Sequence, residues 1–367
     1  MLHVANMSLL LIFVLFTVES IFIKKITPFF YMIVLYGVWV NLLVPFVLGS
    51  NAPHISHLIR PLGIIAFLQV GFYYNAKKTI DAMSLTFCIM ILLNHLTMLR
   101  FPSGVVAIPG VFLFEYRTGF PYIILPGIII CILYDYMFQR DYFSWRTLLA
   151  IGFGVASIWY QWVATGVLQL LILFSLYFIA LYFMKKRFLN VVLGFCIIIF
   201  VNLQLTILGS ISYLLDFISY YLGRTPTLTG RTVIWANAMP ILHESPIYGH
   251  GQDALVPLGT IMTTAHNQWL HWMLEGGIIG ALIITIACLM SCFYVLKLRG
   301  SGLYVILSIG ILNVTFASLV EIQSHVPFIY MIFALPYVVQ DLCVHSHLPK
   351  PIRFVKPSRL VGATHDD

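Results

Sequence analysis

Apolar runs of about 20 residues recur along this chain from one end to the other, and that feature leaves few folds open. A run of that length, wound as a helix, matches a hydrocarbon core of roughly 30 Å. Only helices and closed barrels satisfy their backbone groups in such a medium. A barrel would show short segments of strict alternation, and the sequence has none. Composition agrees: 60% of the 367 residues are hydrophobic and 9% are charged, where a soluble domain carries roughly a quarter charged. The mean hydropathy is +0.96. The fold expected is therefore all-α, a polytopic transmembrane helix bundle of about 11 spans.

Breaks at charged residues, Pro and Gly place the spans near 4–23, 28–48, 61–76, 80–98, 119–138, 147–163, 166–184, 188–208, 268–296, 302–321 and 326–343. The chain then divides into an eight-helix region over 1–208, a long loop over 209–267, a three-helix region over 268–343 and a tail over 344–367. The first run, Val4 to Ile23, has no basic n-region and no small-residue cleavage site, so it reads as a retained helix. All six cysteines lie in apolar runs without a CxxC pair, which fits packing better than disulfides or zinc.

Basic residues set the orientation. Lys24, Lys25, Lys77, Lys78, Arg140, Arg146, Lys185, Lys186, Arg187, Lys297 and Arg299 fall in alternate connections, joined by Lys350, Arg353, Lys356 and Arg359 of the tail. The positive-inside rule makes that face cytoplasmic, with the N-terminus outside and the C-terminus inside. The cations left for the outer face, Arg60, Arg100, Arg117, Arg224 and Arg231, are all arginine. A guanidinium forks onto two phosphate oxygens where lysine offers a mobile point charge, so an outer phosphate or pyrophosphate partner is one reading. Simple avoidance of lysine is the other.

The long outer loop, Gly209 to Asn267, carries most of the chemistry. Its stretch from Thr229 to Leu242 predicts an amphipathic helix with Val233, Ile234, Ile241 and Leu242 on one apolar face, kinked or ended at Pro240. Arg231 then sits in the first turn, where free N–H groups and the helix dipole favour an anion, and Trp235 at i+4 could stack on it. Downstream, Ser245-Pro-Ile-Tyr-Gly249-His-Gly251 forms a glycine-rich turn. Ala265-His266-Asn267 opens span nine, with Trp269, His271, Trp272 and Glu275 behind it. Gly276 and Gly280 form a small-xxx-small pair that suits close helix contact. Glu275, an ionisable group within the membrane, is suspected of function or of pairing with an arginine. His243, His250, His266 and His271 share this region without metal-ligand spacing, so no metal is expected.

Four pieces in this order resemble the polysaccharide polymerase and O-antigen ligase superfamily of bacterial envelopes. They are Thr229-Gly230-Arg231-x-x-Ile234-Trp235, Ser245-Pro246-Ile247-x-Gly249-x-Gly251, His266-Asn267-x-x-Leu270 and Glu275-Gly276-Gly277-Ile278-Ile279-Gly280. The resemblance implies a C-type glycosyltransferase fold in the bacterial inner membrane, working on the periplasmic face without cofactor, metal or nucleotide sugar. It implies an undecaprenyl-pyrophosphate-linked oligosaccharide as donor and as polymerase acceptor, membrane lipid around the chain, a partner that regulates chain length, and no nucleic acid. It makes Arg231 the pyrophosphate ligand and His266 the base for the acceptor hydroxyl. Arg117, Arg224, Trp235, Asn267, Gly249, Gly251 and Glu275 complete the expected substrate site. The family's middle-helix Ser-Arg-Gly-like motif has no arginine here, the region reading Trp162-Val-Ala-Thr-Gly-Val167. Arg224, Arg100 or Arg117 then supplies the second charge, or the site is built differently.

Such a reaction would be an inverting displacement at the anomeric carbon. A polymerase passes the chain to another lipid-linked unit, and a ligase passes it to lipid A-core. A transporter or flippase for lipid-linked sugar is the rival class, with Gln69, Asn94, His95, Gln161, Gln169 and Asn313 as midbundle polar groups. Against it stand the lack of self-similar halves and the concentration of ionisable residues at one side.

Overall fold

The computed structural model describes residues 14–24, 26–48, 56–105, 110–139, 144–183, 190–206, 231–252, 254–323 and 326–345. It is an all-α membrane helix bundle. After a helical stretch at 14–22 come α1 (Pro28–Leu48), α2 (Ser56–Arg100), α3 (Pro121–Gln139), α4 (Trp145–Tyr160), α5 (Ala164–Phe183), α6 (Val191–Thr206), α7 (Arg231–Glu244), α8 (Gln268–Leu296), α9 (Gly302–Ala317) and α10 (Pro327–His345). Among the described residues, five helices are long and apolar enough to cross a membrane, and three shorter apolar ones accompany them.

Two expected spans meet in α2 across a single break. Asn75 leaves helical geometry at φ −161°, and its side chain accepts from Lys78 N at 2.9 Å, capping the second half. A Cβ at Gly71 would stand 2.7 Å from the Thr79 side chain. Residues eight apart in one continuous helix lie about 12 Å apart along its axis, so the chain folds back here as a helical hairpin.

Helix α3 is apolar all round, and every residue from Pro121 to Tyr134 is buried. A helix without a polar face belongs in the centre, and α2, α4, α5, α9 and α10 surround it. Gly276 and Gly280 let α1 approach α8: a Cβ at either would stand 3.3 Å from the nearest Trp39 or Tyr36 ring carbon, with Val40 at 3.2 Å from the first.

Helix α8 is broken where Gly277 takes φ 62° and ψ −163°. The freed backbone groups are satisfied by the 245–251 turn, which docks into the gap. His250 N donates to Leu274 O at 2.7 Å, Gly251 N to Glu275 O at 2.9 Å, and Ile278 N to Pro246 O at 2.9 Å. Irregular backbone at membrane depth survives only when protein satisfies it in this way. Gly249 and Gly277 both adopt positive φ, and a Cβ at Gly277 would stand 2.1 Å from the Ile247 carbonyl oxygen.

A second, smaller core forms over one end of the bundle. Ile234, Trp235, Ala238 and Leu242 of α7 pack with Val256, Ala265, Leu270 and Leu274. The apolar face of α7 is thus shifted from the expected one: Val233 is exposed, and Trp235 and Ala238 turn inward in its place. Pro240 does not end the helix, which continues to Glu244 with the proline on its exposed side. The loop also holds an unexpected hairpin, β1 (Val256–Leu258) antiparallel to β2 (Ile261–Thr263).

Candidate functional site

Two of the expected residues converge on a third that sequence reading missed. Arg231, the first described residue of α7, donates from Nη2 to Glu321 Oε1. The other oxygen, Glu321 Oε2, lies 3.5 Å from His266 Nδ1. Glu321 sits in the turn after α9, its backbone N bonded to Ala317 O at 3.2 Å. Its side chain is 9% exposed, against 17% for Arg231 and 38% for His266, so a buried carboxylate links a largely buried guanidinium to a ring that reaches the surface. Burying a carboxylate is costly unless it is paired, and two partners meet that need here.

His266 is held in an unusual backbone conformation, φ 47°, which costs a residue with a Cβ of order 1–3 kcal/mol. Its neighbours impose it. Trp235 Nε1 donates to Ala265 O at 3.0 Å from one side. On the other, Asn267 caps α8 by accepting from Leu270 N at 2.9 Å, while its amide donates to Asn202 Oδ1 at 2.5 Å and Leu319 O at 2.8 Å. Ala265 and Asn267 are fully buried, and the residue between them is turned outward. His266 Nε2 has the Thr263 hydroxyl at 3.4 Å. Tyr122, at the start of α3, is within electrostatic reach of both Glu321 and Arg231, and its buried hydroxyl has no hydrogen-bond partner among the described residues.

The remaining expected residues fall elsewhere. Glu275 accepts from Tyr36 OH at 2.7 Å and has His271 Nε2 at 3.3 Å, a phenol and an imidazole. Gly249 and Gly251 lie against the break in α8. Trp235 and Asn267 spend their side-chain polar groups on the protein. Arg117 is exposed over the Tyr116 ring at 5.9 Å. Arg224 lies outside the described residues. A cavity of about 600 Å³ opens at the opposite end of the bundle, between Lys24, Gln69, Tyr73 and Asp341, away from these groups.

A signal for Glu321 did exist: it is a lone carboxylate at the edge of an apolar span, the argument that singled out Glu275.

Fold and site together define a multi-pass helical membrane protein with an arginine, a carboxylate and a histidine joined at one end of the bundle. Residues 149–285 match the family model described as O-antigen ligase, which supports the O-antigen ligase and polymerase superfamily resemblance carried by the motifs. The match takes in α4 to α7, the hairpin and the first part of α8, and so includes Arg231 and His266 but not Tyr122 or Glu321. No curated protein and no solved structure matches the chain.

Proposed function

We propose that this chain is an inverting, metal-independent glycosyltransferase that polymerises lipid-linked oligosaccharide repeat units at the periplasmic face of the bacterial inner membrane. The observation that carries the reading is the convergence of Arg231 and His266 on one carboxylate, at the outer end of the bundle by the positive-inside argument.

In this reading the donor is a glycan on undecaprenyl pyrophosphate. The acceptor hydroxyl oxygen attacks the anomeric carbon and its proton passes to His266 Nε2. The bond from that carbon to the pyrophosphate oxygen breaks, and its electron pair leaves with the lipid pyrophosphate. Negative charge grows on the leaving group, where Arg231 offers a forked donor at a helix start. Tyr122 adds a hydroxyl near the same place, and Arg117 or Arg224 would supply further positive charge. Trp235 and Asn267 hold the backbone that presents His266, and Gly249, Gly251 and Glu275 hold the turn that fills the α8 break.

Deletion of the chain followed by analysis of surface glycan tests this reading. A single repeat unit on lipid A-core is the expected result for a polymerase. Bare core with long lipid-linked chains would make it a ligase, and cytoplasmic accumulation of lipid-linked units a flippase.

A further inference from the structure

We propose that Glu321 couples the two halves of the site: donor binding draws Arg231 onto the diphosphate and leaves the Glu321 carboxylate to His266 alone. The inference rests on the glycan-transfer reading and adds an order of events to it, donor first and acceptor second.

The geometry supplies the argument. One oxygen of Glu321 faces Arg231 and the other faces His266 Nδ1, so the two partners share one negative charge. A neutral imidazole with Nδ1 toward a carboxylate carries its proton there, which leaves Nε2 as the acceptor nitrogen, on the side of the Thr263 hydroxyl. While Arg231 holds Glu321, its positive charge opposes the field that the carboxylate exerts on the ring. A diphosphate offers the guanidinium a more highly charged partner with the same forked geometry. Once Arg231 turns to it, the uncompensated carboxylate favours the imidazolium that forms when the ring takes the acceptor's proton. Glu321 is thus a positioning residue that touches neither substrate.

Among the described residues, few other charges compete. Around the cluster, α7 contributes Arg231 and, at its far exposed end, His243 and Glu244. Helix α3 contributes Tyr122, the two hairpin strands contribute no titratable group, and on α8 His271 and Glu275 pair with each other. Arg224 and His325 lie outside the described residues.

The test uses the purified full-length chain and reads the protonation of His266 as the pH dependence of its acylation by diethyl pyrocarbonate, resolved by peptide mass spectrometry. Glu321→Gln is expected to move the midpoint to lower pH and Arg231→Gln to higher pH, with most of the second shift lost in the double variant. Inorganic pyrophosphate, standing in for the donor's diphosphate, is expected to raise the midpoint of the unaltered chain, and to raise it much less in Glu321→Gln. In turnover with lipid-linked donor, Glu321→Gln is expected to lower kcat by about 10–100-fold without raising the donor KM, and Glu321→Asp to recover part of it. An unmoved midpoint in Glu321→Gln overturns the coupling. So does an unaltered chain that ignores pyrophosphate, a measurement that needs no variant to fold. Acylation reads the ring and not glycan transfer, so failure of the transferase reading would show separately, in the surface glycan.

Discussion

Two arginine–carboxylate pairs stand at opposite ends of this bundle, and they are built for different ends. At the end that the positive-inside reading makes the inner one, Arg146 Nη1 meets Asp81 Oδ1 at 2.5 Å, Ser84 Oγ at 2.8 Å and the Asp81 carbonyl at 3.3 Å, with its guanidinium 5.0 Å from the Tyr134 ring centre and 5.5 Å from that of Trp145. Apart from the one to Trp145 of α4 itself, these contacts tie α4 to α2 and α3, and Tyr134 and Lys77 also act on the Asp81 carboxylate. At the outer end Glu321 is more buried than Asp81, 9% against 43%, yet it divides itself between Arg231 and a half-exposed histidine. The lesson is that an ion pair closed on itself fastens helices, while one whose carboxylate is shared with a surface-reaching ring has a second partner to respond to.

The strongest way to break this contrast is to remove the outer groups. His266→Ala and Arg231→Ala are each expected to lower glycan transfer by at least about 100-fold while membrane levels of the protein stay near normal. Near-normal polymer from either variant, read on a surface-glycan gel, would erase the distinction between the two ends. Arg231→Lys is expected to be nearly as poor, because it keeps the charge and loses the fork.

Next in size is Gly277→Ala. Its new Cβ would meet the Ile247 carbonyl at 2.1 Å in a backbone conformation that disfavours side chains. A loss of roughly 2–4 kcal/mol is expected, seen as a lower unfolding temperature in detergent and reduced membrane levels. An unchanged protein would mean that the 245–251 turn does not fill the α8 break.

Trp235→Phe sharpens the account of how His266 is presented. It keeps the buried ring and removes the indole donor to Ala265 O, so a stability loss of about 1 kcal/mol is expected. Transfer is expected to fall several-fold through kcat, with donor KM little changed. The smallest effect belongs to the inner pair. Asp81→Asn breaks a partly exposed ion pair and should cost about 1 kcal/mol or less, with transfer per folded molecule unchanged. A large loss of specific activity there would show that the inner pair is not merely a fastener.

What could be read from the chain without its fold was whatever is local in sequence. Apolar length announced the spans, and the expected 28–48 and 268–296 coincide with α1 and α8 because charged and polar residues interrupt the apolar runs there. The cap at Asn267 and the arginine at the start of α7 also declare themselves within one helical turn. The face of α7 was misjudged by about one residue, since periodicity fixes an angle loosely and Trp235 reads equally well as an interfacial or a core side chain. Only the tertiary structure decided that Gly277 breaks α8, because the backbone that satisfies the break comes from 245–251, around thirty residues away. It alone brought Glu321 between Arg231, 90 residues before it, and His266. A carboxylate's partner depends on which helix ends share a side of the bundle, and side-by-side packing leaves no period or spacing in the sequence to read.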